Sequence, residues 1–147
     1  MRICALIPAF NESPYIANVV ERALQHVAEV VVIDDGSVDG TAEIARAAGA
    51  TCLQLPQNRG KASALRGGIA YARERNFAYV ITLDGDGQHL PEDIPVMIRA
   101  AEETGADLII GARSFDRYRR GISKRWVCRL WRGATSETRT RTVPNAW

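Results

Sequence analysis

Two carboxylates separated by one glycine, Asp84-Gly85-Asp86, stand directly after the apolar run Tyr79-Val80-Ile81-Thr82-Leu83. Side chains this close repel one another unless a cation lies between them. Gly85 and Gly87 give the backbone freedom to turn both toward one ion. Hard oxygen ligands of this kind suit Mg2+ or Mn2+ beside a diphosphate, and Gln88 can add a neutral oxygen. A purely structural acidic loop is the alternative. Asp34-Asp35-Gly36-Ser37 is a second polar cluster, readable as a turn with helix capping or as a carboxylate accepting hydrogen bonds from a nucleobase or ribose. Asn58-Arg59-Gly60-Lys61 is a third, either a solvated loop or a place where glycine permits close approach and Lys61 sits near a phosphate.

Other motif readings fail on specific residues. An EF-hand loop from Asp84 requires Asp or Asn at position 88, Gly at 89 and Glu at 95, where the chain has Gln88, His89 and Pro95. A dinucleotide fingerprint would place G-x-G-x-x-G after the first strand, where Pro8-Ala9-Phe10-Asn11-Glu12 stands, and no P-loop is present. His26 and His89 lack metal-like spacing to any partner, and His26 reads as a surface residue. Cys4, Cys52 and Cys128 form no CxxC pair, so zinc and a disulfide framework are not expected and a reducing cytoplasm fits.

The elements that position these clusters follow from periodicity. Ile3–Ile7, Val30–Ile33, Thr51–Leu55, Tyr79–Leu83 and Leu108–Ile110 read as buried strands. Between them lie helical patterns. One opens at Ser13-Pro14 with serine as N-cap and carries Ile16, Val19, Val20, Ala23 and Leu24 on one face. A second runs from Asp39 to Ala48 and closes at Gly49. A third presents Ala62, Leu65, Ile69 and Ala72 on one side, and a fourth starts near Pro95 because that proline lacks the donor an interior position needs. Strict alternation of strand and helix predicts an α/β fold, a mainly parallel sheet flanked by helices on both faces. In such a sheet the strands end at one edge, so Asn11-Glu12, Asp34-Asp35, Asn58–Lys61 and Asp84–Asp86 all arrive at one rim.

The composition describes an ordinary globular chain: 147 residues, 46% hydrophobic, 24% charged. Its net charge of +2 hides an asymmetry of −6 over residues 1–111 and +8 over 112–147. A basic end of this kind implies an anionic partner, a phosphate-bearing substrate or a membrane surface, or else a solvated tail. No nucleic acid is expected among the partners. The short apolar stretch at the N-terminus is broken by Pro8 and reads as no signal peptide, and no run is long enough to span a bilayer, so any membrane contact is expected to be peripheral.

Taken together, Ile7-Pro8-Ala9-Phe10-Asn11-Glu12, Val32-Ile33-Asp34-Asp35-Gly36-Ser37 with Asp39-Gly40-Thr41, Asn58-Arg59-Gly60-Lys61, and Leu83-Asp84-Gly85-Asp86-Gly87-Gln88-His89 resemble, in order and spacing, the signatures of family 2 glycosyltransferases. Their form is similar to the dolichol- and polyprenyl-phosphate sugar transferases, over roughly residues 2–125. The resemblance implies a GT-A fold, a nucleotide-diphosphate sugar donor and Mg2+ or Mn2+. It implies that Pro8, Phe10, Asn11 and Glu12 line the nucleotide pocket, that Asp35 or Asp34 contacts the base, and that Lys61 lies at the donor. Asp84, Asp86 and Gln88 would hold the metal and diphosphate. Arg113 would approach the donor phosphates and, with Asp86, carry the chemistry. Arg120, Ser123 and Arg125 would handle the acceptor phosphate. Transfer would invert the anomeric centre, and the acceptor would be a polyprenyl phosphate reached at the inner face of the membrane.

The resemblance fades near Arg125. Residues 1–132 are therefore expected to form the nucleotide-sugar-binding domain, and 133–147 a divergent, disordered tail. Trp126, Leu130 and Trp131 among the arginines suggest an amphipathic membrane-facing helix or core packing. Family members continue further, so a truncated donor-binding module without turnover is the alternative function. A receiver-type signalling domain would carry its acidic pair after the first strand, whereas Asp34-Asp35 follows the second.

Overall fold

The computed structural model describes residues 2–112, 129–131 and 140–144. Five strands follow the expected order: β1 (Ile3–Ala9), β2 (Glu29–Asp34), β3 (Thr51–Gln54), β4 (Tyr79–Thr82) and β5 (Leu108–Ala112). Two more, β6 (Arg129–Trp131) and β7 (Thr140–Pro144), complete a seven-stranded sheet in the order β3-β2-β1-β4-β6-β5-β7. β1 pairs in parallel with β2 and β4, and β2 with β3. β6 runs antiparallel between β4 and β5, with Leu130 in register with both Ile81 and Ile109.

Strand β6 corrects the expectation of a membrane-facing helix through Leu130 and Trp131. Three residues flanked on both sides by apolar strands satisfy their backbone groups as a sheet ladder. The lack of periodicity after residue 133 likewise did not reveal β7, which pairs in parallel with β5 from Thr140 to Pro144. Its β-branched Thr140, Thr142 and Val143 suit a strand. Trp126 and residues 132–139 lie outside the described residues.

Among the described residues the four α-helices are α1 (Ile16–Leu24), α2 (Thr41–Ala47), α3 (Lys61–Glu74) and α4 (Ile94–Thr104). Alternate residues of β1 serve the two sides of the sheet, as period two requires. Ala5 and Ile7 pack with Val19, Val20 and Met97 of α1 and α4. Cys4 and Leu6 pack with Ala64 and Ala72 of α3. Both faces are covered, which is why these strands read as continuous apolar runs.

One helix boundary and one buried helix face differ from expectation. Ser13 is not the N-cap of α1: its backbone N–H donates to Asp39 Oδ2, and the helix starts from a turn in which the Glu12 carbonyl accepts the N–H of Tyr15 and Ile16. In α3 the buried stripe is Ala64, Gly68 and Ala72, with Ala62 exposed. Gly68 explains this shift, because a Cβ there would lie 2.8 Å from Ile33 Cδ1 and 3.0 Å from Leu6 Cδ1. Elsewhere the boundary signals act as expected. Pro91–Asp93 is a 3-10 turn and Pro95 sits in the first turn of α4, where no donor is missed. Gly49 (φ 99°) closes α2 by donating to Arg46 O while Ala50 donates to Ala45 O.

Among the described residues no helix is long and apolar enough to cross a membrane. The close seating of α3 yields a stability prediction. Gly68→Val should lower the free energy of unfolding by about 1–3 kcal/mol through overpacking against Leu6 and Ile33, read as a lower urea midpoint at unchanged slope.

Candidate functional site

The parallel strands bring their C-terminal ends to one edge, and one loop there organises the others. Residues 34–41 send side-chain oxygens to the backbone of two neighbouring segments. Ser37 Oγ accepts the Asn11 N–H at 2.8 Å, Thr41 Oγ1 accepts the Glu12 N–H at 2.9 Å, and Asp39 Oδ2 accepts the Ser13 N–H at 3.0 Å. In return Asn11 Oδ1 accepts the Val38 N–H at 3.0 Å. On the other side Asp35 accepts the N–H of Arg59 at 2.8 Å and of Gly60 at 2.7 Å, one on each carboxylate oxygen. Gly36 (φ +78°) is packed against the same loop, where a Cβ would fall 2.7 Å from the Gln57 carbonyl carbon.

The side chains of Ser37, Asp39 and Thr41 are therefore structural partners of the site. Sequence reasoning saw them only as turn and capping residue types, because their acceptor roles act across more than 25 positions. Asp39 is held down at about 2 chiefly by the Thr41 hydroxyl, with help from the Ser13 N–H.

Between these loops lies a cleft lined by Pro8, Ala9 and Phe10 from the end of β1, by Glu12, Asp35, Asn58, Gly60, Lys61 and Ala64, and by Asp84, Gly85 and Asp86. Seven of the expected site residues thus meet in one place: Pro8, Phe10, Glu12, Asp35, Lys61, Asp84 and Asp86. Three others sit beside it. Asn11 is exposed and spends its side-chain oxygen on Val38. Asp34 is fully buried, with Oδ1 3.3 Å from the Ser37 N–H and Oδ2 unpartnered among the described residues, so of the acidic pair Asp35 is the one that faces the cleft. Gln88 is exposed and donates from its side chain to Asp86 Oδ2 at 2.7 Å and from its backbone to Oδ1 at 2.9 Å. Arg113, Arg120, Ser123 and Arg125 lie outside the described residues.

The acidic loop is held from beneath. The Asp84 N–H donates to His89 Nδ1 at 2.9 Å, and His89 is 3% exposed. A nitrogen that accepts this bond carries a lone pair, so the imidazole is the neutral form protonated on Nε2. Its 3.9 Å approach to Asp84 Oδ2 is accordingly not an ion pair. Across the cleft Lys61 Nζ pairs with Asp84 Oδ1. Glu12 leans over Gly85, where an added Cβ would meet Glu12 Cγ at 3.3 Å. Burial, then Asp86, Asp39 and Asp84, push the Glu12 carboxyl up. The cleft therefore concentrates negative charge with Lys61 reaching into it.

A parallel-sheet edge with an acidic motif after its fourth strand, facing a lysine-bearing helix start, defines a GT-A-type glycosyltransferase domain, and comparison with known proteins agrees. The chain belongs to glycosyl transferase family 2, whose sequence profile matches residues 4–145. Its relatives include a dodecaprenyl-phosphate galacturonate synthase of Rhizobium johnstonii, 34% identical over 125 residues that span 77% of this chain and 36% of the relative. An undecaprenyl-phosphate mannosyltransferase of Micrococcus luteus is 32% identical, over 77% of this chain and 49% of the relative. Among solved structures, glucosyl-3-phosphoglycerate synthase of Mycobacterium tuberculosis, in complex with Mn2+, UDP and glucosyl-3-phosphoglycerate, superposes with a TM-score of 0.65 at 25% identity, covering 79% of this chain and 45% of the other. The chain spans about half or less of the length of the curated relatives it matches.

Two measurements follow, one on the loop framework and one on the 3-10 turn before α4. Thr41→Val removes the hydroxyl that accepts the Glu12 N–H and should cost about 1–3 kcal/mol of stability, whereas Thr41→Ser keeps the acceptor and should cost clearly less; denaturant unfolding of the pair decides this. Near α1, Asp93 is pushed up to about 6 by burial and then by Glu92. A carboxyl raised in the folded state binds its proton more tightly there, so stability is lost as pH rises from about 4 to about 6. Asp93→Asn should flatten that part of a stability–pH profile.

Proposed function

We propose that this chain provides the donor-binding half of a metal-dependent, inverting sugar transferase that uses a nucleotide-diphosphate sugar and delivers to a polyprenyl phosphate. The observation that carries the reading is the convergence of Phe10, Glu12, Asp35, Lys61, Asp84 and Asp86 on one cleft from separate strand ends. The names of the polyprenyl-phosphate relatives support the acceptor class, and the Mn2+ and UDP bound by the glucosyl-3-phosphoglycerate synthase support the donor class.

The donor set fits Mg2+ or Mn2+. No group of three His, Cys, Asp or Glu suited to a metal occurs among the described residues. Two carboxylates with a neighbouring amide suit a hard ion that completes its shell with phosphate oxygens and water. Asp84 and Asp86 would hold it, with Gln88 contributing its amide oxygen after turning from Asp86. Bound there, the ion would neutralise charge that develops on the departing nucleoside diphosphate.

The chain's own residues would do the rest. Asp35 retains lone pairs beyond the two backbone bonds it accepts and can take hydrogen bonds from a base or ribose. Phe10 offers an apolar ring at the cleft, and Lys61 a point charge for phosphate oxygens. Strand β5 ends and β6 begins at this same edge of the sheet, and Arg113, Arg120, Ser123 and Arg125 lie between them in the sequence. Those arginines would hold the donor and acceptor phosphates. A phosphate acceptor is already ionised near neutral pH, so in-line attack needs no strong general base. A lipid acceptor would bring the reaction to a membrane surface, and we infer its cytoplasmic face.

The second reading, a donor-binding module without turnover, rests on the same cleft, whose expected site residues are all donor- and metal-side candidates. Calorimetry with UDP-, GDP- and dTDP-sugars, with and without Mn2+, tests the shared part. Asp86→Ala should weaken metal-dependent binding more than tenfold, about 1.4 kcal/mol, and unchanged binding would refute the metal assignment. Radiolabel transfer to polyprenyl phosphate then separates the readings: transfer establishes the enzyme, and binding without transfer the module.

A further inference from the structure

Lys61 occupies a position that helix electrostatics disfavours. It is the first residue of α3, at the end made positive by unpaired N–H groups, and no acidic residue shares that first turn. Its partner comes from the loop after β4: the ammonium pairs with Asp84 Oδ1. The Asp84 side chain is 17% exposed and that of Lys61 is 59% exposed, so the lysine reaches into the cleft toward a largely enclosed carboxylate.

That reach is set by the backbone immediately before it. Asp35, 3% exposed, binds the N–H of both Arg59 and Gly60. Gly60 turns the chain into the helix at φ 86°, a conformation open to glycine. A divalent cation at Asp84 Oδ1 competes with the ammonium for the same oxygen, and the two positive charges repel.

We propose that Lys61 is a built-in counter-cation that competes with the divalent ion for Asp84, and that Asp35 is the positioning residue that keeps it there. A nucleoside diphosphate relieves the competition by drawing the ammonium onto its own phosphate oxygens. Metal and nucleotide therefore bind with positive coupling, each tightening the other by the same factor. This rests on the reading of Asp84 and Asp86 as cation ligands.

Titration of the full chain with Mn2+ alone, free Mn2+ being followed by electron paramagnetic resonance, and again with UDP or GDP as probe, tests the idea. Lys61→Met should tighten binding of Mn2+ alone roughly two- to fivefold, the span of an exposed ion pair, and reduce the extra tightening that nucleotide brings. Lys61→Arg keeps the charge and should behave as wild type. Asp35→Asn should also tighten Mn2+ binding, although loss of a nearby negative charge would by itself weaken it, and adding it to Lys61→Met should give no further gain. Unchanged or weaker Mn2+ binding in Lys61→Met, whose exposed side chain leaves the core untouched, overturns the competition. An Asp35→Asn effect on Mn2+ binding equal to the one it has in the Lys61→Met background, where only the lost charge acts, overturns the positioning role. If Asp84→Ala leaves Mn2+ binding intact, the metal assignment itself is at fault, a result distinct from the other two.

Discussion

The site depends on one set of contacts, the side-chain oxygens of the loop after β2 that bind backbone N–H groups of its two neighbours. Strand ends leave donors without ladder partners, and near a buried rim these must be satisfied locally. Ser37, Asp39 and Thr41 do this for Asn11, Glu12 and Ser13, while Asp35 does it for Arg59 and Gly60. The same bonds aim the functional side chains. With its N–H fixed to Thr41, Glu12 leans over Gly85; with Gly60 fixed to Asp35, Lys61 starts α3 facing Asp84. Position in the cleft and satisfaction of the backbone are two consequences of one arrangement.

Much of this was legible from the order of elements. Ile3–Ile7, Val30–Ile33 and Tyr79–Thr82 are apolar and short, and the alternation with helices leaves little choice but a parallel sheet. The shared rim followed from that alone, without knowledge of any side-chain position. What periodicity could not show was the far side of the sheet. β6 is three residues inserted antiparallel from a long sequence distance, and β7 has no alternation to announce it; both are defined by their partners rather than by their own pattern.

Within the site, residue types were readable and their division of labour was not. Asp34 and Asp35 are adjacent and chemically identical, yet the strand pleat sends one inward to full burial and the other into the cleft. Asn11 carries the right chemistry for a ligand but is committed to Val38. Ser13 has the composition of an N-cap, and its N–H is claimed by Asp39 before α1 begins. For Asn11 and Ser13 a contact distant in sequence decided between two local options of similar cost, which a reading of neighbours along the chain does not weigh.

The distribution of charge shows why the core must be as apolar as it is. Glu12, Asp84 and Asp86 converge on a small region, and burial first, then the neighbouring carboxylates, push the Glu12 carboxyl up. Such crowding opposes folding and persists only when the surrounding structure over-determines it. Here the restraint comes from two directions. Beneath the loop, neutral His89 holds the Asp84 backbone without adding charge, leaving the carboxylate free to pair elsewhere. Behind it, Leu6, Ile7, Ile81 and Leu83 are wholly buried in the strands that end at the rim. A protonated histidine at that position would have offset part of the negative charge gathered at the cleft. The choice of a buried neutral acceptor therefore separates two tasks, fixing the loop and keeping its negative potential, that a single salt bridge would have merged.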